Sequence, residues 1–359
     1  MAAALTFERP HADVSARPRI ADDVALLRVA AELSRDLNGV KPRIYWADFL
    51  ASAALGYAAL ASAILLSGAL AWVSGVIAIL ALYRAGSFIH ELTHVKHRDL
   101  RWFRFGWNAI AGVPLLVPSF LYEGVHNLHH NKTRYGTIED PEYLPLALMK
   151  PWTVPLFVIV SALAPLAMLV RFGVLTPLSL IVPPLRTIVV ERFSGLQINP
   201  LFRRRTPEGE LKRQWYAQEA ACSIWAITLI TLVATRTIPL RAFVIFLAVA
   251  AGVMVLNQVR TLVAHLWENE GEAMTVTAQY LDTVNVPPPT LLPALWAPVG
   301  LRYHALHHLL PGVPYHNLAE AHRRITTAVE QHSPYHKASY TGLPKLVASL
   351  TAKTFTPRS

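Results

Sequence analysis

Residues 47–89 carry only two charges, Asp48 and Arg84, in an otherwise apolar run. The run is about twice the ~20 residues that one bilayer crossing needs. Ser67-Gly68 lies near its middle, which predicts two antiparallel helices over 47–66 and 69–89. Residues 215–235 and 239–264 repeat the pattern around the ThrArgThrIlePro link at 235–239. Lipid offers no hydrogen bonds to a bare backbone, so blocks of this kind must be helical. Charged residues make up 16% of the chain, well below the ~25% of soluble domains. The expected fold is an all-α integral membrane protein.

Lys and Arg flank the apolar blocks, at 95–105 and 191–214, and form no stripe with interleaved aromatics. The net charge of +10 therefore reads as cytoplasmic loops under the positive-inside rule, with no nucleic acid as partner. Residues 1–46 read as a cytoplasmic N-terminal segment with a short helix between Asp22 and Leu37. Residues 47–330 read as the membrane domain and 331–359 as a C-terminal tail. The short apolar stretch 106–122, with Pro114 and Pro118, predicts a half-inserted segment. Residues 151–190 hold six prolines, with Arg171 between two halves. They predict a kinked hairpin crossing twice or two helices in the interface. The total is four transmembrane helices in hairpins, or six if that block crosses twice, holding a cytoplasmic helical cap.

Three histidine clusters sit at or beyond the ends of these blocks. His90 and His94 stand in HELTH, His126, His129 and His130 in HNLHH, and His304, His307 and His308 in HALHH. Spacings of three and four stack imidazoles on one helix face. His265 follows the last apolar block, and His97 comes three residues after His94 as an uncertain further member. His316 and His322 read as capping or surface residues. So many neutral imidazoles exceed what one ion takes, whereas two ions with four or five nitrogen ligands each would use the set. Imidazole suits several transition metals, and iron is favoured because open positions on it can bind oxygen. For the second and third clusters to meet, the chain must cross the membrane an even number of times between them.

HELTH also fits the HExxH pattern of zinc proteases, in which Glu91 would be the general base. A protease needs only one further ligand and leaves two HxxHH clusters unexplained. Glu91 then reads as an acceptor behind a ligand histidine or as a surface residue. A histidine-rich, non-catalytic metal-handling protein is the other competing class. Cys222, the one cysteine, excludes a disulfide framework, a zinc knuckle and a thiolate iron–sulfur site.

Together HELTH, HNLHH and HALHH resemble the three histidine boxes of the membrane fatty acid desaturase superfamily, which also contains acyl and alkane hydroxylases. DPEYLP after the second box and HHLLPGVPYHNL at the third resemble its bacterial acyl-lipid branch. The resemblance spans residues 47–330. It implies a di-iron centre using O2, held in the cytoplasmic cap by His90, His94, His126, His129, His130, His304, His307 and His308. His265 matches a ninth family ligand. Some members carry an asparagine four residues before it, where this chain has Thr261. The implied reaction is oxidation of a fatty acyl chain, with desaturation first and hydroxylation or decarboxylation as alternatives. Saturated carbon has no acidic proton and no leaving group, so the metal must carry the hard step. The chain has no haem-binding HPGG stretch and no cysteine-rich domain, which implies a separate ferredoxin- or cytochrome-like electron donor. The implied setting is a bacterial cytoplasmic membrane, among membrane lipid.

Overall fold

The computed structural model describes residues 20–290 and 292–355. The expected N-terminal segment before residue 20 and the last four residues of the tail lie outside them. The described residues form helices and turns, with no strand. Five helices are long and apolar enough to cross a membrane: Pro42–Leu65, Gly68–His94, Thr153–Ile181, Gly209–Ala234 and Leu240–Leu262. Leu65, Leu70, Trp72 and Leu240 are exposed, as suits a bundle whose outer surface meets lipid.

The expected four are joined by a fifth long apolar helix, Thr153–Ile181, in the block left open, and the prolines explain why it is one bent helix. Residues 153–181 neither break at Arg171 nor turn back there. Pro165 and Pro177 each clash with the carbonyl four residues earlier, at Ser161 and Gly173. Those carbonyls lie in a 3-10 stretch, Val160–Leu163, and a π stretch, Arg171–Leu175. The local change of pitch absorbs each ring, so the helix bends and continues. It ends at Val182, ahead of Pro183. The Pro183–Phe193 helix then returns the chain to the histidine side. There Leu196 N–H donates to Leu121 O (2.8 Å) and Ile198 N–H to Pro141 O (2.9 Å). The 153–193 excursion thus begins and ends on one side, and Gly209–Ala234 with Leu240–Leu262 supply the even number of crossings.

Arg171 fastens this excursion. It is 1% exposed and donates to Glu219 (2.6 Å), Ser194 Oγ (2.9 Å), Phe193 O (2.8 Å) and Thr176 Oγ1. Arg186 closes on the other oxygen of Glu219 at 2.7 Å. A buried charge is tolerated when it is paired and hydrogen-bonded in this way.

The helices overrun the apolar blocks where they rise toward the histidines. Gly209–Ala234 starts six residues before the expected 215, and Gly68–His94 runs five past 89. Apolarity marks the lipid-facing length and not the helix end. Residues 103–121 form a re-entrant segment, a π turn at Asn108–Gly112 leading to a 3-10 turn at Ser119–Leu121. Asn108 pins it by accepting from Ser119 N–H (2.8 Å) and donating to Ser119 Oγ (2.9 Å). Helix contacts are close: a Cβ at Gly252 would lie 2.4 Å from Ile79. The cap closes with Val24–Leu33, whose Leu26 and Ala30 share a core with Ala321 and Ile325. Residues 331–355 also pack there, with Asn285 N–H donating to Ala338 O (2.7 Å) and Tyr340 N–H to Asn285 O (2.8 Å).

Candidate metal centre

The three clusters converge, but they do not each form one wall. His90, His94, His126, His130 and His307 bring their nitrogens within 4.8 Å of one another, and so, separately, do His129, His265, His304 and His308. Each HxxHH is split. Its i, i+4 pair (His126 with His130, His304 with His308) serves one group, while the remaining histidine, His129 or His307, serves the other. The stacked rings of His130 and His308, centroids 4.2 Å apart, join the two groups.

Local structure explains the placement. The Gly68–His94 helix presents His90 and His94 in its last turn. His126–His129 and His304–Leu309 are short helices of four and six residues. The second is set by Asn285, whose Oδ1 accepts from Leu306 N–H (3.0 Å). A short ladder aligns His265 beside His304: Val284 N–H donates to Ala264 O (3.0 Å) and Leu266 N–H to Asp282 O (2.7 Å). His97 lies beyond its helix end, exposed, and belongs to neither group. Glu91 is buried, not a surface residue, and accepts from Tyr45 O–H and from Tyr315 N–H (3.1 Å). His316 Nε2 accepts from Lys41 N–H (3.2 Å), outside the centre.

Carboxylates behind the rings fix their tautomers. His129 Nδ1 faces Asp140 (2.9 Å) and His126 Nδ1 faces Glu142 (3.0 Å). His265 Nδ1–H points to Tyr135 Oη (2.8 Å), which in turn donates to Asp282 (2.7 Å). An Nδ1–H held in this way leaves a lone pair on Nε2 facing inward. Inward Nε2 atoms then meet: His126 and His130 at 2.9 Å, His265 and His304 at 3.1 Å, His94 and His307 at 3.1 Å. His90 Nε2 and His308 Nε2 are buried with no partner. Nine imidazoles brought this close, two of them with unpartnered Nε2 atoms, offer more nitrogen donors than hydrogen bonds among themselves can use. The donor set therefore fits metal ions, one for each group.

Asp140, Glu142, Asp282, Tyr122, Tyr135 and Arg260 escaped sequence reading as functional residues. Two of them stand in DPEYLP, noted only as a family resemblance. Asp282 is an isolated acid in AQYLDTVNV, the one signal that could have found it. Gly136 makes the Asp140 loop possible: it has φ 71° and its N–H donates to Asp140 Oδ2 (2.8 Å).

Burial pushes the His126, His130, His265, His304, His307 and His308 pKa values well below the usual imidazole value, reinforced by neighbouring rings or Arg260. Burial lifts Glu142 and Asp282 to about 7. Burial also presses His129 down, but Asp140 together with Glu142 and Asp282 outweighs it, and the net shift is upward. The signs oppose. A lowered histidine stabilises the fold above about pH 6.5 and loses this as pH falls; the three raised groups act the other way. Six outnumber three. Stripped of metal, the protein is expected to lose thermal stability from about pH 8 to about pH 5. A melting temperature that stays level or rises on acidification contradicts this assignment.

A family model for fatty acid desaturases matches residues 67–340, and the chain belongs to that family. It is a membrane oxidoreductase of the desaturase and hydroxylase group. Over 333 residues it is 47% identical to a ceramide hydroxylase of Caulobacter vibrioides, an alignment covering 92% of this chain and 95% of that protein. No solved structure matches it.

Proposed function

We propose that this protein is an O2-dependent hydroxylase of ceramide-class lipids, with its site on the cytoplasmic side of the membrane. Desaturation, the first expectation from the histidine boxes, gives way to the hydroxylase alternative. The observation that carries this is 47% identity to a ceramide hydroxylase across nearly the whole length of both chains. The chemistry of the site agrees with it.

Two iron ions would be held by His90, His94, His126, His130 and His307, and by His129, His265, His304 and His308. When bound, they would supply the means of activating O2 toward a saturated C–H bond. The residues do the rest. Asp140, Glu142 and Asp282 keep the imidazoles oriented and offset positive charge at the centre. Trp267, which is fully buried and donates to Leu262 O (2.8 Å), closes one side to water together with Tyr135 and Tyr143. The balance is one C–H bond, one O2, two electrons and two protons giving an alcohol and water. The electrons come from a separate ferredoxin- or cytochrome-like donor.

The test is mass spectrometry of lipids from a host that makes ceramide and expresses this chain under isotopically heavy O2. Ceramide heavier by one labelled oxygen is expected, and none with His307→Ala. Ceramide lighter by two hydrogens would return the reading to desaturation, and unchanged lipid would overturn it.

A further inference from the structure

Arg260 lies in the last turn of the Leu240–Leu262 helix and is 7% exposed. Among the described residues its one side-chain hydrogen bond is from Nη2 to His304 Nδ1 at 3.0 Å, and its charge also acts on Glu142 and Tyr122. Among the described residues no carboxylate comes within ion-pair distance of it. Arg171, the other buried guanidinium among the described residues, has four partners including Glu219, and the half-buried Arg204 donates to Glu123 O and Ser194 O. Nε and Nη1 of Arg260 make no hydrogen bond to the described residues, so these charged donors are open to an acceptor oxygen.

The His304 contact also depends on the state of the centre. His304 Nε2 faces His265 Nε2 and the four-histidine group. If Nε2 binds a metal ion, a neutral ring carries its proton on Nδ1. Arginine has only donors, so two donors would then face each other. Metal ions also add positive charge beside the guanidinium. A loaded centre therefore removes the one hydrogen bond of Arg260 and raises its need for an acceptor.

Arg260 sits at the membrane end of the cap, next to a ligand histidine. We propose that Arg260 is the subsite for an acceptor oxygen on the polar head of the substrate, a carbonyl or hydroxyl within a few bonds of the oxidised carbon. This rests on the ceramide reading above: ceramide carries an amide carbonyl and hydroxyls at its head, and a plain hydrocarbon chain carries none. Oxidation consequently falls near the head and not at mid-chain.

The test uses the full chain in lipid nanodiscs, loaded with zinc so that no turnover occurs. Binding of a short-chain ceramide and of a hydrocarbon of matched length is followed by tryptophan fluorescence, with metal content measured alongside. Arg260→Leu is expected to keep the wild-type metal content, to bind ceramide about 10- to 100-fold more weakly and to bind the hydrocarbon unchanged. Arg260→Lys, which keeps a charged donor, should recover part of the loss. Equal ceramide affinity in wild type and Arg260→Leu overturns the subsite and leaves the ceramide reading standing. Loss of metal in Arg260→Leu, recovered in Arg260→Lys, assigns Arg260 to support of His304 and likewise overturns it. A wild-type protein that does not bind ceramide overturns both.

Discussion

His307→Ala is expected to strip the five-histidine group of its metal and to lower lipid hydroxylation by more than about a hundredfold. Losing a residue that merely orients a ligand costs about 10- to 100-fold in metal affinity or activity, and losing the ligand costs more. His307 is 2% exposed. Its ring centroid lies 4.4 Å from His90, 4.3 Å from His94 and 4.8 Å from His130. It is also the residue of the third box that joins this group, so its removal unties that box from His90 and His94. Metal per chain and labelled-oxygen yield are read together, with His97→Ala as the comparison. His97→Ala should change neither. A His307→Ala protein with full metal and full product would remove the five-histidine group from the chemistry.

Asp140 carries the second large effect. It is fully buried and accepts from Gly136 N–H and Glu142 N–H, both at 2.8 Å, while facing His129 Nδ1. Asp140→Ala leaves two buried donors without an acceptor and frees the His129 ring to change tautomer. The expected cost is about 3 kcal/mol of stability or more, with metal affinity about 10- to 100-fold lower. Asp140→Asn keeps an acceptor for only one of the two N–H groups, since Gly136 reaches Oδ2 and Glu142 reaches Oδ1, and should lose less stability than Asp140→Ala while also losing affinity. Thermal unfolding and chelator competition measure them. Wild-type metal affinity in both variants would mean that His129 is held by something else.

The two hairpins were legible because long apolar runs have no alternative in lipid, and the histidine spacings announced a metal centre. The limits were physical. Apolarity reports contact with lipid, so it missed where Gly209–Ala234 extends into the cap. Counting prolines suggested breaks in 153–181, but Pro165 and Pro177 are absorbed by changes of helical pitch. Helical spacing predicted three imidazoles on one face. It could not reveal that neighbouring residues of one turn serve different groups, which depends on how three separate turns meet. Asp140, Asp282 and Arg260 act across gaps in the chain that no local pattern encodes. Arg260 in particular was hidden inside a block noted only for being apolar.

The most direct measurement is metal analysis of the purified chain in its membrane, with and without His307→Ala. The account predicts about two iron ions per wild-type chain, one for each histidine group, and fewer in the variant. One zinc ion per chain, or metal that exchanges freely and is indifferent to His307, would contradict it.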